Sequence, residues 1–174
     1  MTGGHIHGEH PFATPEGLRE PARRLRGRLP AGVAVLTADG PGGAVGLTVA
    51  SWLIVEGDPA RVIAIIGRLT DLAEGVEHSK AFVVHVLEQG GQARSDVFAG
   101  IRPSPGGPFA GVEVEATPWG PRMADVATWA GCELADSRHV GYQTEIVGLV
   151  RAIALAESPR PLVWYRGRYR ALAE

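Results

Sequence analysis

The spacing of apolar residues changes from a helical to a strand pattern near residue 33. Before that point, apolar residues at positions 18, 22, 25 and 29 recur at helical spacing, with arginines on the other face. This pattern predicts a short basic amphipathic helix over residues 18–29. Its arginines are either a solvated face or a binding surface for phosphate or an acidic partner.

Beyond residue 33, short apolar runs separated by Gly, Pro and Asp predict strands. Residues 33–36 and 44–49 flank a Gly-rich turn at 39–43 and predict a hairpin, because such residues tolerate positive φ. The run 61–66 is apolar at both alternations after its first residue, so we expect a strand buried on both faces, one of which meets something besides its own core. The remaining predicted strands are 53–55, 82–87 and 142–155, the last with Gly148 permitting a kink.

Helices are predicted in two further places. One begins at Asp71, which with Glu74 three residues later has the form of a capping box, so Asp71 is the expected N-cap. The other covers 92–98, and the Pro/Gly-rich residues 100–109 that follow form a loop. Five or six strands with few short helices predict a mainly β fold, a closed antiparallel barrel, because closure removes the exposed edges of a sheet.

Length and charge restrict the class of protein. In a chain of 174 residues we expect a disordered tail at 1–16, which lacks periodicity, and a single domain at 17–174. A net charge of −2 provides no global field for nucleic acid or a membrane surface, so the expected partners are a small molecule or a second copy of the chain. We find no apolar run typical of a signal peptide or a membrane span.

The cysteine and histidine content adds two expectations. Cys132 is the only cysteine, which excludes an internal disulfide and favours a reducing compartment, the cytoplasm. His5, His7 and His10 in the tail are either part of a solvated terminus or ligands for a transition metal. Elsewhere we find no metal-ligand spacing, no nucleophile-base pair and no GxGxxG fingerprint, so neither a metal site nor a Rossmann dehydrogenase is expected.

Two short stretches are candidate ligand sites. Gly67, Arg68 and Thr70 lie where a predicted strand ends and a helix begins, and a helix N-terminus beside an arginine and a hydroxyl suits an anion such as phosphate, although many such helix starts bind nothing. The stretch 48–52 combines small and hydroxyl residues at a strand end, where a flat ligand can approach the backbone. Trp52 either stacks on that ligand or is a core or interface aromatic.

Six segments carry, in chain order, a resemblance to a known family. They are LPAGVAVLTA, GLTVASW, DPARVIAIIGRLTD, AFVVHVL, the region 132–148 and PLVWYRGRYRAL. Over residues 29–172 the chain resembles the flavin reductase-like FMN-binding split-barrel family. The resemblance implies a six-stranded antiparallel Greek-key split barrel with a few short helices, a homodimer, and FMN bound near the subunit interface.

The resemblance also implies the residues that bind the cofactor. The segment that in the family wraps the isoalloxazine ring and the ribityl chain is matched here by Thr48, Val49, Ala50, Ser51 and Trp52. The segment that holds the flavin phosphate is matched by Gly67, Arg68 and Thr70. The second segment is also the anion site that the helix start predicts without the family.

Two positions differ from the pattern of the family. A Gly-Asp-His triplet often precedes the long late strand, with its histidine near the reacting edge of the flavin. The counterpart here is Ser137-Arg138-His139, which makes His139 the expected catalytic residue. Arg138 replaces the acidic residue and is either a contact for a nicotinamide phosphate or simply exposed. His85 stands where the family usually has Asn, and we expect it to be a satisfied core or interface group.

The chemistry that the resemblance implies is hydride transfer from NAD(P)H to FMN, with FAD as a further flavin substrate. The reduced flavin would serve a separate monooxygenase. The expected nicotinamide surface lies near His139, Phe98 and Tyr169. One alternative is a split-barrel protein that binds FMN or another cofactor, such as haem or a deazaflavin, without reductase activity. Another is an interaction module on the same barrel that binds no cofactor.

Overall fold

The structure is a computed structural model that describes residues 16–157 and 160–172. The predicted tail and its three histidines lie outside this part of the chain, except for residue 16, which begins a helix. In chain order the elements are α1 (Glu16–Arg26), β1 (Ala31–Gly32), β2 (Ala34–Gly40), β3 (Gly43–Val49), β4 (Trp52–Val55), β5 (Arg61–Gly67), α2 (Asp71–Ser79), β6 (Ala81–Val86), α3 (Gln92–Phe98), β7 (Val114–Thr117), β8 (Gly120–Met123), β9 (Trp129–Val140), β10 (Gln143–Ala154), β11 (Val163–Tyr165) and β12 (Arg168–Arg170).

Seven strands form the main sheet, in the order β3-β2-β6-β9-β10-β5-β4, and every neighbouring pair is antiparallel. The edge strands β3 and β4 follow each other in the chain and are separated only by Ala50 and Ser51. Two residues cannot span an open sheet of seven strands, so the two edges meet. The Ser51 carbonyl accepts a hydrogen bond from the Ile65 N–H at 2.8 Å at this corner. The predicted mainly β barrel is therefore confirmed.

The strand count differs from the prediction because β9 carries no clear strand pattern. Its sequence includes Gly131, and most of its residues after Cys132 are polar or exposed. Pairing with β6 on one side and β10 on the other makes it a strand nonetheless. Two smaller sheets complete the fold: the β7–β8 hairpin, and a three-stranded sheet in which β1 pairs with β11 near the other end of the chain.

In the part of the chain that the structure describes, three helices accompany the sheets. The helix α3 has the predicted bounds, and α1 overlaps most of the predicted N-terminal helix. The apolar side chains at the end of that prediction are not buried: Leu25 is 67% exposed and Leu29 is 65% exposed. Among the described residues, no helix has the length and apolar character needed to cross a membrane.

The strand β5 alternates between buried and partly exposed residues. Val62, Ala64 and Ile66 face the core, whereas Ile63 and Ile65 are half-buried. The prediction of burial on both faces is therefore wrong for the single chain, because nothing in the described residues fully covers the outer face. The neighbouring edge strand β4 continues this outer surface with large exposed apolar side chains.

The predicted irregularity at Gly148 is present as a register shift between Val147 and Gly148 in the pairing of β10 with β9. A Cβ atom at position 148 would lie 2.5 Å from the ring of Phe82 and 2.8 Å from the Cβ of Cys132. Close packing therefore requires a glycine here. Burial raises the pKa of the Cys132 thiol to about 12, so this cysteine is a protonated core group.

His85 is a satisfied core group, as expected. It is fully buried in β6, where its Nε2 accepts a hydrogen bond from the Met123 N–H at 2.9 Å and its Nδ1–H donates to the Val35 carbonyl at 3.1 Å. These bonds connect the end of the β7–β8 hairpin to the barrel and require the neutral imidazole. Desolvation lowers the pKa of His85 from its ordinary 6.5 to about 4.

Acid is expected to destabilise the fold through this histidine. Because the unfolded chain takes up a proton near pH 6.5 and the folded chain only near pH 4, stability is complete above about pH 6.5 and is lost as the pH falls towards about 4. The pKa difference corresponds to about 3 kcal/mol. Urea unfolding of the wild type and of His85→Asn across this range measures the loss. The variant is less stable at neutral pH but should lack this contribution to acid sensitivity; equal pH dependence in both proteins would contradict the assignment.

Candidate functional site

The turn between β5 and α2 has the predicted position but a different helix cap. Thr70 has extended backbone geometry (φ −89°, ψ 149°), and its hydroxyl accepts from the Ala73 N–H at 3.3 Å. Thr70 is thus the N-cap and Asp71 is the first helical residue, so the prediction of an Asp71 cap is wrong. Threonine supplies the capping oxygen one residue earlier, and Asp71 instead places negative charge in the first turn, where it favours the helix dipole.

A cleft of about 580 Å³ opens beside this turn. The turn contributes Arg68 and Thr70 to its lining, and β9 contributes Ser137, Arg138 and His139. The predicted phosphate segment and the predicted catalytic histidine therefore share one cleft. Its volume is in the range typical of small-molecule sites.

The strand register explains why these residues meet. His139 pairs with Thr144 of β10, and Thr144 pairs with Ile66 at the end of β5. Two strand spacings, roughly 10 Å, thus separate the backbone of His139 from the end of β5. His139 is exposed on its strand, whereas Thr144 and Ile66 are buried beneath the cleft.

The segment Thr48 to Trp52 lies beside the cleft without lining it. The Thr48 hydroxyl donates to the Ser95 carbonyl at 2.7 Å, and the Trp52 indole N–H donates to the Gly32 carbonyl at 2.9 Å. Ser51 is bonded to Ile65, two residues before Gly67, which places the two predicted segments about 7 Å apart along β5.

Within this segment, Val49 is buried and Ala50 is half-buried. The Ser51 hydroxyl accepts a hydrogen bond from the Arg26 guanidinium at 3.2 Å, which connects the end of α1 to the corner. The indole N–H of Trp52 is occupied within the chain, so Trp52 can offer a ligand only its ring. Ala50 and Ser51 are both half-buried, and the Ser51 carbonyl already accepts from the Ile65 N–H.

Arg138 is paired with a carboxylate. Its Nε donates to Glu145 Oε1 at 2.7 Å and one terminal nitrogen donates to Oε2 at 3.1 Å, across the β9–β10 pair. The guanidinium lowers the pKa of Glu145, and that carboxylate in turn raises the pKa of Arg138. Arg138 is therefore exposed and ion-paired at the rim of the cleft.

Glu77 is a cleft residue that the sequence interpretation missed. Its carboxylate accepts from the Lys80 ammonium at 2.7 Å, and it lines the cleft together with Ser137 and His139. The hydrogen bond from Lys80, followed by that from the Ser137 hydroxyl, lowers the pKa of Glu77. The available signal was the spacing of Asp71, Glu74 and Glu77, which places three carboxylates on one face of α2.

Two residues of the expected nicotinamide surface are already occupied. Phe98 is buried and packs edge-to-face on Phe109 with ring centroids 5.0 Å apart, so its own side chain offers no surface within this chain. The Tyr169 hydroxyl donates to Asp96 at 2.5 Å, and its ring packs on Trp164 outside the cleft. Within the described residues, no group of three or more His, Cys, Asp or Glu side chains is arranged to hold a metal ion.

One side of the cleft suits an anionic group such as a phosphate. Arg68 supplies a positive charge and the nine-residue helix α2 begins at Asp71 with its N-terminal dipole end. Asp71 and Glu74 line the same cleft, so α2 also presents negative charge. The residues present therefore fit an anionic group held on the Arg68 side of the turn.

Comparison with known proteins gives the same cofactor chemistry. Residues 26–173 match the family model of the flavin reductase like domain. The chain is 32% identical over 155 residues to a flavin reductase (NADH) of Kitasatospora aureofaciens, covering 83% of this chain and 77% of that protein. It is 27% identical over 160 residues to the FMN reductase (NADH) RutF of Ancylobacter novellus, covering 91% and 88%.

A solved structure is also similar over nearly the whole chain. It is nitrilotriacetate monooxygenase component B from Mycobacterium thermoresistibile, 26% identical with a TM-score of 0.80, and the match covers 91% of this chain and 89% of that one. The family model spans most of the chain, including both predicted cofactor segments and the whole cleft. The chain belongs to the flavin reductase like domain family.

Proposed function

We propose that the cleft is where this chain holds the phosphate of FMN during reduction of the flavin by NAD(P)H. The chain is a flavin reductase, an oxidoreductase that uses a nicotinamide as electron donor. The observation that supports the proposed location is that Arg68, Thr70 and His139 line one and the same cleft. FAD is a further flavin substrate in this proposal.

The proposed roles follow from the contacts of each residue. Arg68 holds the flavin phosphate by charge, and Gly67 and Thr70 shape the turn, because the Thr70 hydroxyl donates to the Gly67 carbonyl at 2.8 Å. From this turn the flavin extends along β5 towards the backbone of Ala50 and Ser51. Thr48, Val49 and Trp52 hold that corner in place. These are the cofactor-binding residues of the proposal.

His139 is the proposed catalytic residue. When bound, FMN supplies the acceptor for the hydride of NAD(P)H, so the protein has to orient the two ring systems and exclude water between them. His139 is exposed in the cleft wall, roughly two strand spacings from the end of β5. At this position it can face the nicotinamide.

We also propose that the functional unit is a homodimer of a single-domain chain, residues 17–174. The outer surface of β4 and β5 supports this, since Leu53 is 52% exposed and its register partner Ile63, like Ile65, is only half-buried. A contiguous apolar surface of this kind is typical of an interface. A second copy seated there would lie against the strand that joins the two cofactor segments.

The proposed acceptor of reduced flavin is a separate monooxygenase, and the proposed location is the cytoplasm. The solved relative is named as a component of a monooxygenase, which supports the first proposal. A single, buried cysteine supports a reducing compartment.

Purified protein supplied with FMN is expected to oxidise NADH with a kcat on the order of 10 s⁻¹. Flavin absorbance and fluorescence quenching measure binding, and anaerobic bleaching of the flavin by NADH measures reduction. Free FMN with NADH and no protein is the control. Binding of FMN without oxidation of NADH or NADPH above the control rate would support the alternative of a cofactor-binding protein without reductase activity.

A further inference from the structure

Glu77 is fixed where α2 meets β9. Lys80, which follows the helix, adopts the left-handed conformation (φ 56°) and its ammonium contacts Glu77 at 2.7 Å. The Lys80 carbonyl accepts from the Leu134 N–H at 2.8 Å, which connects the end of α2 to β9. The position of the Glu77 carboxylate relative to β9 is therefore set by both backbone and side-chain contacts.

Ser137 and His139 present their side chains to this carboxylate from β9. They are two residues apart in a strand and so lie on the same face. A hydrogen bond from the Ser137 hydroxyl and the nearby imidazole of His139 both lower the pKa of the Glu77 carboxyl, and the hydrogen bond has the larger effect. All three residues line the cleft. Carboxylate, hydroxyl and imidazole thus form one group, assembled from two elements that are distant in sequence.

The charged residue that lies between Ser137 and His139 in the sequence does not take over the role of Glu77. Arg138 lies at the rim of the cleft and pairs with Glu145 through two hydrogen bonds. Within that pair the guanidinium on β9 and the carboxylate on β10 neutralise each other. Glu77 is the carboxylate that reaches β9 from the helix side of the cleft.

We propose that Glu77 is a positioning residue for His139 in flavin reduction: its carboxylate, fixed on the helix side of the cleft, orients the imidazole that β9 presents to the same cleft. The inference deepens and rests on the proposed function, in which His139 faces the nicotinamide. Glu77 takes no part in electron transfer. Its contribution is to limit the orientations of the His139 imidazole. Such a restriction increases the rate of a reaction in which the donor and the flavin must be aligned.

A double-mutant cycle tests whether Glu77 acts through His139. Glu77→Gln keeps the shape and a hydrogen-bond acceptor for Ser137 but removes the charge. We expect it to lower kcat/KM for NADH about 10-fold, and we expect the same change in a His139→Asn background to have less than about a twofold effect. Glu77→Asp, which retains the charge, should recover activity to within about threefold of wild type. FMN affinity should stay within about twofold throughout.

Glu133→Gln is the matched control. Glu133 is also an exposed carboxylate paired with a basic residue, Arg151 at 2.9 Å, and it belongs to β9, but it lies outside the cleft. Its replacement should change kcat/KM by less than about twofold, because an exposed ion pair contributes little to the fold. A loss equal to that of Glu77→Gln would assign the effect to net charge and overturn the proposal.

A second readout needs no turnover. The affinity of the FMN-loaded protein for NAD⁺, measured by calorimetry, should fall about fivefold in Glu77→Gln and show the same dependence on His139. Additive effects in both cycles, with an active wild type, would overturn the role of Glu77 and leave the proposed function intact. A wild type that binds FMN but does not oxidise NADH or NADPH would instead overturn both.

Discussion

Replacement of Arg68 and Thr70 together by alanine is expected to weaken FMN binding about 100-fold and riboflavin binding less than about threefold. The two ligands differ only in the phosphate, which the proposal places at the turn between β5 and α2. Fluorescence quenching of each flavin by the purified variant measures the two dissociation constants. Equal losses of affinity for both ligands would contradict the assignment of the phosphate to this turn.

The contributions of Arg68 and Thr70 to FMN affinity can be measured separately. Thr70→Ala removes the N-cap of α2, whose hydroxyl accepts from the Ala73 N–H, and this costs about 1 kcal/mol of stability whether or not flavin binds there. Thr70→Ser keeps the hydroxyl and is the matched control, with FMN affinity within about twofold of wild type. Arg68→Ala alone should then account for most of the loss, because a charged contact with phosphate is stronger than a neutral one.

Introduction of a charge on the outer face of β4 is expected to separate the proposed dimer and to weaken FMN binding with it. Leu53→Glu places a carboxylate in the apolar surface, opposite Ile63 in the register of β4 with β5. The dissociation constant of the dimer should rise at least about 100-fold, since an unpaired charge in an interface costs several kcal/mol. Light scattering distinguishes the 18.4 kDa chain from a mass twice as large.

Ile101→Glu is the control for this substitution. Ile101 is 69% exposed, more than Leu53, but it lies in the loop after α3 and not on the outer face of β4 and β5. Its replacement should leave both the molecular mass and FMN affinity unchanged. A wild type of single-chain mass that binds FMN tightly would refute the dimer and confine the flavin site to one chain.

Much of the barrel could be predicted because its signals are local. The hairpin of β2 and β3, the strand β5 and the helix α3 are each specified by short-range alternation and turn residues. The strands β3 and β5 and the helix α3 lie close to their predicted bounds, whereas β2 runs four residues past its predicted end into the predicted turn. The strand β9 could not be predicted in this way. Its identity comes from two neighbours, β6 and β10, that flank it across the sheet.

In the candidate site, too, residues with a local sequence signal were predicted and those that depend on long-range packing were not. Arg68 and Thr70 were found because a strand end next to a helix start is visible in sequence, although which residue provides the cap, Thr70 and not Asp71, is decided by backbone angles. Glu77 was missed because its partner Ser137 is sixty residues away, and only the packing of α2 on the end of β9 brings them together.

The two-residue corner that joins β3 to β4 has a consequence for folding. Closure of this barrel brings its two edges together, and at this corner the Ile65 N–H is bonded to the Ser51 carbonyl and the Trp52 indole N–H to the Gly32 carbonyl. In the proposed complex the flavin binds at this junction of the two sheet edges and stabilises the closed barrel. Any affinity for the closed form that the open form lacks then adds directly to resistance against unfolding. The lifetime of the folded protein in the cell would therefore depend on the supply of the cofactor.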